Sequence, residues 1–543
     1  MTFDELLKLS DQMFTKRGSL LTHWQDVADS FYPQRADFTS SRSLGEEFAS
    51  HLVTSYPILA HRELSGTLSS MLRPKDRDWF YLETARPEQQ THDANIWLEW
   101  AAGSLRRAMY DRAANFTRAT KEADGDFVAF GQAVISVELA PSRLNFLYRT
   151  WHLRDCAWSE GLDGKVDHFC RKWRTTASEL LEKFPKTAGK EARDAVRLNE
   201  PFKEFECRHM VIPSRGMYRQ PWRSVFMDVD NKNILEDVGS WGRIYVVPRW
   251  QTVSGSQYAF SPAVVAALPD ARLLQAITLT LLDAGEMYAA PPYLAVQEAI
   301  RGDIDLRSRG ITWVDANYDE RMGDALRPLT QDARGFPIAD TMREEAQRMI
   351  AEAFYLNKLN LPAPTSAEMT AFEVSQRIQE FIRTTLPLFE PIEDDYNGAV
   401  CEETFALGIR NGMFGPASSI PQELQNQDVQ FKFVSPITAA RDQEKGGRFV
   451  EAKNLLLEGA QLDPSALLMM DVRKAMRDAL KGINTPTRWL HNDDYVEALF
   501  KQQQEEQAQL QQMAGAEQLA GAANQAGGAM KQFAEAGAVQ NAS

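Results

Sequence analysis

The chain has 543 residues and a net charge of −15, from 60 basic and 75 acidic side chains; it accommodates three or four domains of ~150 residues each. A protein that grips a nucleic-acid backbone shows a basic excess, so tight static DNA binding is disfavoured. No run approaches ~18 apolar residues, the first residues lack a basic stretch ahead of an apolar one, and the four cysteines are unpatterned, which predicts no membrane span, no secretory signal and reduced thiols.

Thr2 and Glu5 form a capping box that opens a first helix bearing Phe3, Leu6, Leu7, Met13 and Phe14. A second helical stretch carries Leu20, Leu21, Trp24, Val27, Ala28 and Phe31 and ends at Pro33. Leu64, Leu68, Met71 and Leu72 are helically spaced. Arg73-Pro74 stops that helix, and Trp79-Phe80-Tyr81-Leu82 reads as a strand. Trp97 to Met109 is a further amphipathic helix. From Phe127 to Leu139 a helix ends at Gly131-Gln132-Ala133 and a strand follows at Val134-Ile135-Ser136-Val137. Arg154 to Arg174 predicts a strand pair around the turn Asp163-Gly164. Thr176 with Glu179 caps a short helix ending near Pro185, and the highly charged stretch from Lys186 to Pro201 predicts a solvated helix or insertion. His209 to Ile212, Ser224 to Asp228 and Ile244 to Val247 are strand-like, so residues 1–257 are mixed α and β.

Ser261-Pro262 opens a long helix with Val264, Val265, Leu268, Leu273, Leu274, Ile277, Leu281 and Leu282, ending before Pro291-Pro292. Tyr293 to Pro337 holds short β-like pieces at 293–296, 311–314 and 325–326, joined by charged turns. Met342, Ala346, Met349, Ile350, Ala353 and Phe354 then mark a helix that stops at Leu356-Asn357. Pro362 and Pro364 forbid regular helix and hold the backbone extended. Thr365 and Glu368 cap another helix carrying Met369, Phe372, Ile378, Phe381, Ile382 and Leu386. Pro387 and Pro391 interrupt it, which predicts a kinked continuation towards Ile409. Residues 430–436 read as a strand, and Asp442 to Phe500 is mainly helical. Lys501 to Ser543 is rich in Gln, Ala and Gly, and predicts a flexible tail because little apolar surface offsets its ordering entropy.

Motifs for chemistry are missing. No Gly-x-x-x-x-Gly-Lys-Ser/Thr loop or Gly-x-Ser-x-Gly elbow occurs. Cys156, His168 and Cys170 lack zinc-finger spacing and suit a plain strand pair. Glu393-Asp394-Asp395, and His491 near Asp493-Asp494, read as solvated faces rather than metal sites. These residues predict no catalytic group, cofactor or metal. The missing nucleotide loop and the acidic balance favour a structural protein over a DNA-processing enzyme, with a helical scaffold of an assembly as a third reading.

Several segments together resemble the portal, or head-to-tail connector, proteins of podovirus-type tailed phages. The most specific runs from Val247-Pro248-Arg249-Trp250 through Tyr258 and Ser261-Pro262 to Pro291-Pro292. Others are the repeated Leu-Ser-x-x-Leu of residues 64–72 with Arg73-Pro74 and Trp79-Phe80-Tyr81-Leu82, the Gly131 helix end, Phe354-Tyr355-Leu356-Asn357, Thr370-Ala371-Phe372-Glu373-Val374 and the Ser-Pro strand at 430–436. The family often has glycine after the tyrosine, where this chain has Ala259-Phe260.

The resemblance covers residues 1 to about 500 and implies an α+β, mainly helical portal fold with wing, stem, clip and crown, assembled as a ring. The implied divisions are 1–257 wing, 258–290 first stem helix, 291–338 clip, 339–356 second stem helix, 357–368 tunnel loop, 369–440 kinked helix and wing strand, 441–500 crown and 501–543 tail. It implies a DNA-channel loop with Asn357, Lys358, Asn360, Pro362, Pro364, Thr365 and Ser366. It implies a clip that docks partners, with Arg301, Asp303, Asp305, Arg307 and Arg309 in its polar turn. The implied role is a ring of about twelve copies at one capsid vertex that nucleates head assembly, conducts double-stranded DNA inward and outward, and connects head to tail. The implied partners are the terminase large subunit, a tail adaptor, major capsid and scaffolding proteins and internal core proteins, in the virion and, during assembly, the host cytoplasm.

Overall fold

The structure is a computed structural model. It describes residues 1–41, 45, 47, 49–75, 78–85, 91–295, 315, 321, 324, 326–328, 335–356, 392–425, 429–434, 449–461, 470–482, 485–492, 495–509, 528 and 531. The chain forms two compact units: Met1–Leu82 with Ala101–Ser419 and Val429–Arg441, and Glu83–Trp100 with Ile420–Asp428 and Asp442–Ser543. Helices alternate with sheets, and the three- and five-stranded sheets are antiparallel, so the fold is α+β.

The first unit begins with α1 (Phe3–Lys16) and α2 (Gly18–Phe31). The Thr2/Glu5 capping box forms as the spacing predicts, Thr2 N donating to Glu5 Oε2 at 2.8 Å. Leu6 and Met13 of α1 pack on one face of a five-stranded antiparallel sheet. Its strands, in spatial order, are β4 (Cys156–Glu160), β5 (Val166–Thr176), β6 (Glu204–Pro213), β7 (Trp222–Asp228) and β8 (Asn233–Ser240). Side chains alternate across a strand. Met210, Ile212, Val225 and Met227 therefore meet α1, while Phe205, Cys207 and Phe226 face the opposite side. That side is covered by α6 (Ala177–Lys183) and α7 (Lys190–Arg197).

Two expectations change here. The charged stretch from Lys186 to Pro201 is not simply solvated: Ala192 and Ala195, three residues apart, are buried in the core beneath α7. Strand β8 has no alternating apolar signal, since Leu235 is its one buried hydrophobic residue, and ladder pairing to β7 carries it.

α3 (Tyr56–Leu72) packs against α5 (Phe116–Phe130). The start of α5 is not legible in the sequence, because Asn115 precedes it in a left-handed conformation (φ +58°) without a side-chain cap. A three-stranded sheet follows, in the order β3 (Phe146–Thr150), β2 (Ile135–Leu139), β9 (Tyr245–Val246). β1 (Phe80–Thr84) pairs with the late strand β12 (Val429–Phe433).

α8 (Pro262–Ala289) and α9 (Gly335–Ala353) lie alongside each other, and the short strands β10 (Tyr293–Ala295) and β11 (Leu326–Pro328) pair between them in sequence. α9 starts at Gly335, ahead of the boundary expected at 339, because Pro337 falls in its first turn, where a missing N–H costs nothing. The second unit contains helices 449–461, Val472–Gly482 and 495–509. The last of these crosses Phe500 and continues to residue 509, so helix enters the segment expected to be a flexible tail.

Candidate functional site

The long helix α8 is set into the first unit by a close backbone crossing. Ser261 is its N-cap: Oγ accepts from Val264 N at 3.3 Å and donates to Val128 O at 2.6 Å. Pro262 occupies the first turn, preset for helix. Gly131, which ends α5 at φ +72°, lies against this entry; a Cβ there would fall 2.1 Å from the Phe260 carbonyl carbon. Trp250 N donates to Gly131 O at 2.8 Å, and Ala259 N to Gln132 Oε1 at 3.0 Å. The glycine missing after Tyr258 is thus matched by one on the opposing chain segment, where the crossing requires it.

α8 has two apolar sides. Ala263, Val264, Ala267, Ala271 and Leu274 are buried in the first unit. Val265, Leu273, Leu279 and Leu282 are 57%, 46%, 48% and 52% exposed. By length and composition α8 could cross a membrane, with a mean hydropathy of 1.4 over its most apolar window, although the sequence predicts no span. Asp270, Arg272, Asp283 and Glu286 interrupt its apolar run, which is why no unbroken stretch was visible. Ala346 and Ile350 of α9, and Phe354 just past its end, are buried four residues apart, and the Phe354 ring lies 5.3 Å from Phe31 of α2.

The chain re-enters the described region at Ile392, and residues Glu393–Gly398 form a π-helix that continues as α10 (Ala399–Arg410). Such i→i+5 turns kink a helix without breaking it. Two side chains of this turn enter a buried ionic cluster. Tyr396 Oη donates to Asp124 Oδ1 at 2.8 Å, and Asn397 Oδ1 accepts from Arg73 Nη1 at 2.8 Å. Asn397 Nδ2 reaches Leu72 O at 3.2 Å, and Arg73 is ion-paired to Asp124. Burial alone would lower the Arg73 pKa; Asp124, followed by Tyr396, outweighs it and the net shift is upward. Burial, then the Asp124 charge, push the Tyr396 phenol well above its usual value. The cluster therefore holds a charged Arg73 and a protonated Tyr396 at neutral pH. A buried pair whose remaining donors and acceptors are satisfied specifies one arrangement of the three elements that supply it.

The acidic run is divided by this turn. Glu393 is buried, against the expectation of a solvated face, because the π-turn rotates it inward. Asp394 and Asp395 line a cleft of about 560 Å³ with Glu402, Glu403, Lys165, Arg243 and Arg249. Burial raises the pKa of Asp395 and of Glu403, whose Oε1 accepts from Arg243 N at 3.1 Å. Among the described residues no group of three or more His, Cys, Asp or Glu is placed to hold a metal ion. His168 Nδ1 lies 2.5 Å from Asp167, and Cys170 Sγ 3.2 Å from Ser10 Oγ, so those two groups have protein partners.

Asn357, Lys358, Asn360, Pro362, Pro364, Thr365 and Ser366 lie outside the described residues, as do Arg301, Asp303, Asp305, Arg307 and Arg309 and the helix expected from Met369 to Leu386. The sequence reading missed the Arg73–Asp124–Tyr396 cluster. Its signal is weak: an aspartate on the increasingly apolar end of α5, and an arginine at a helix end before proline.

A model of the family described as "Bacteriophage head to tail connecting protein" matches residues 4–490. The chain is 26% identical over 449 residues to a "Probable portal protein" of Bordetella phage BPP-1, covering 80% of this chain and 79% of that protein. It is 20% identical over 492 residues to the "Portal protein" of Salmonella phage epsilon15, covering 87% and 86%. Among solved structures it resembles chains from the neck of an empty GTA particle computed with C6 symmetry and of a native GTA particle computed with C12 symmetry. Both have TM-score 0.35 and 11% identity, covering 72% and 73% of this chain and 84% and 85% of those chains.

Proposed function

As the chain belongs to the family of bacteriophage head to tail connecting proteins, we propose that it acts as the portal of its virion. It is a structural ring at one capsid vertex that nucleates the head, conducts the genome and joins head to tail. The observation that carries the ring reading is the second apolar side of α8: Val265, Leu273, Leu279 and Leu282 are half exposed on a helix rooted by Gly131 and Ser261. Scattered apolar residues on a surface are ordinary, but four half-exposed ones along one anchored 28-residue helix suit an interface that wraps it on both sides. A neighbouring copy on each side covers it, and closure gives a cyclic ring of about twelve copies.

In this reading α8 and α9 are the stem, residues 291–338 the clip and 357–368 the loop facing DNA. Arg301, Asp303, Asp305, Arg307 and Arg309 dock the terminase and, later, a tail adaptor, through a wet, charge-guided interface. Lys358 gives DNA one weak, salt-sensitive contact per copy. The acidic excess lets DNA slide, and the protein performs no catalysis itself. Major capsid, scaffolding and internal core proteins are its remaining partners, met in the host cytoplasm before the virion forms.

Imaging of purified protein tests the proposal: closed rings with a central channel are expected. Light scattering that shows only a compact 61.3 kDa chain at assembly concentration overturns it.

A further inference from the structure

A buried cation of the first unit makes no ion pair among the described residues. Arg171, on β5, is 7% exposed. Its guanidinium carbon lies 3.8 Å from the ring centre of Trp151 and 4.3 Å from that of Trp173, so indoles flank it. Nε donates to Tyr245 Oη at 3.1 Å. His209 holds that phenol from the other side at 2.7 Å, is itself 2.8 Å from Ser224 Oγ, and stacks on Phe226 at 3.8 Å. Nη1 and Nη2 have no acceptor among the described residues, and neither is sealed from solvent.

Lys183, at the end of α6, comes to the same ring. Its ammonium lies 6.0 Å from the Trp173 centre and 4.2 Å from that of Phe226, and makes no ion pair among the described residues. Its pKa is lowered, first by burial; the surrounding charges are Glu138 and Glu236, which raise it, and Arg171 and Arg149, which lower it. Neither carboxylate approaches either cation to within 4.0 Å. Two cations are therefore held together by aromatic faces, with a rigid guanidinium edge left open.

We propose that the Nη edge of Arg171, with Lys183, is an oxyanion subsite that takes a phosphate or carboxylate group. A guanidinium fork matches two oxygens of such a group, and stacked indoles fix its plane before the ligand arrives. The anion comes either from solution or from an acidic side chain of a neighbouring copy.

Thermal unfolding of the full chain, with inorganic phosphate against chloride at matched ionic strength, tests this in unassembled and assembled protein. A saturable upward shift is expected in the unassembled chain. Arg171→Gln and Lys183→Gln should each raise the half-saturating phosphate concentration about tenfold, the loss of one charge-assisted contact. Arg174→Gln, on the opposite face of β5, should not. A shift in both forms assigns the site to a free anion; a shift in the unassembled chain alone assigns it to the neighbour's acidic group. No saturable shift there, or a shift unchanged in the Lys183→Gln variant, overturns the subsite. Lys183 is exposed, so that variant keeps the test open if Arg171→Gln fails to fold.

Discussion

Gly131 and Asp124 carry different kinds of constraint at the scale of a single residue. Gly131 has both a positive φ and a backbone neighbour where a Cβ would stand, so Gly131→Ala should cost ~3 kcal/mol or more in denaturant unfolding. A loss under ~1 kcal/mol would show that the α8 entry can move aside. Asp124→Ala leaves Arg73 charged and buried and should cost ~3–5 kcal/mol, whereas Tyr396→Phe removes one donor and should cost ~1–3 kcal/mol. Equal losses from the two would contradict the ranking. Buried His61 and His209 also tie stability to pH. Burial, the leading cause at each, lowers both pKa values. A lowered folded pKa means that the unfolded chain binds more protons below ~6.5. Stability is therefore full above that value and falls as the pH drops towards the folded values. Unfolding midpoints from pH 8 to 5 should decline below ~6.5, and His209→Gln should flatten the decline. A flat wild-type profile would refute it.

Elements differ in how much of them the sequence discloses. The capped helices were legible, because Thr2/Glu5 and Thr176/Glu179 state their own geometry within four residues. The root of α8 was half legible: Ser261-Pro262 marked the start, but the glycine that admits it sits 130 residues earlier, which no local pattern shows. Strand β8 and the π-turn were not legible, since tertiary pairing fixes the first and the buried Arg73 cluster accompanies the second. For the exposed apolar residues of α8, Leu273→Glu with Leu282→Glu should leave the folding transition of the isolated chain within ~0.5 kcal/mol, because both side chains already face solvent there. The same pair should abolish rings in light scattering, since a charge buried at each contact is not compensated. Intact rings from the double variant would remove α8 from the interface.

Across the whole molecule, the family match ends at residue 490 while helix continues to 509. Truncation after residue 509 should preserve oligomer size. Truncation after Phe500 cuts that helix and should fray 495–500 without changing the ring. Collapse to single chains in either case would make the tail part of the assembly. The family was legible because its marks, Pro and Gly positions around Ser261-Pro262 and Pro291-Pro292, are backbone requirements. The proposed DNA and clip residues are polar positions in segments outside the described residues.

The Arg73 cluster also sets the timing of the fold during synthesis. Arg73 meets Asp124 after 51 residues but Asn397 only after 324. The β1 edge waits longer still, because Trp79 O receives its donor from Val434 N. At translation rates of ~5–20 residues per second, the interval from Arg73 to Asn397 lasts roughly 16–65 s. Until then a half-built sheet edge and the surface that receives Tyr396 and Phe431 stand open on the nascent chain. Apolar surface left open for that long favours aggregation of the nascent chain. Chains stopped before residue 397 should be recovered in aggregates, and chains reaching beyond 434 should not.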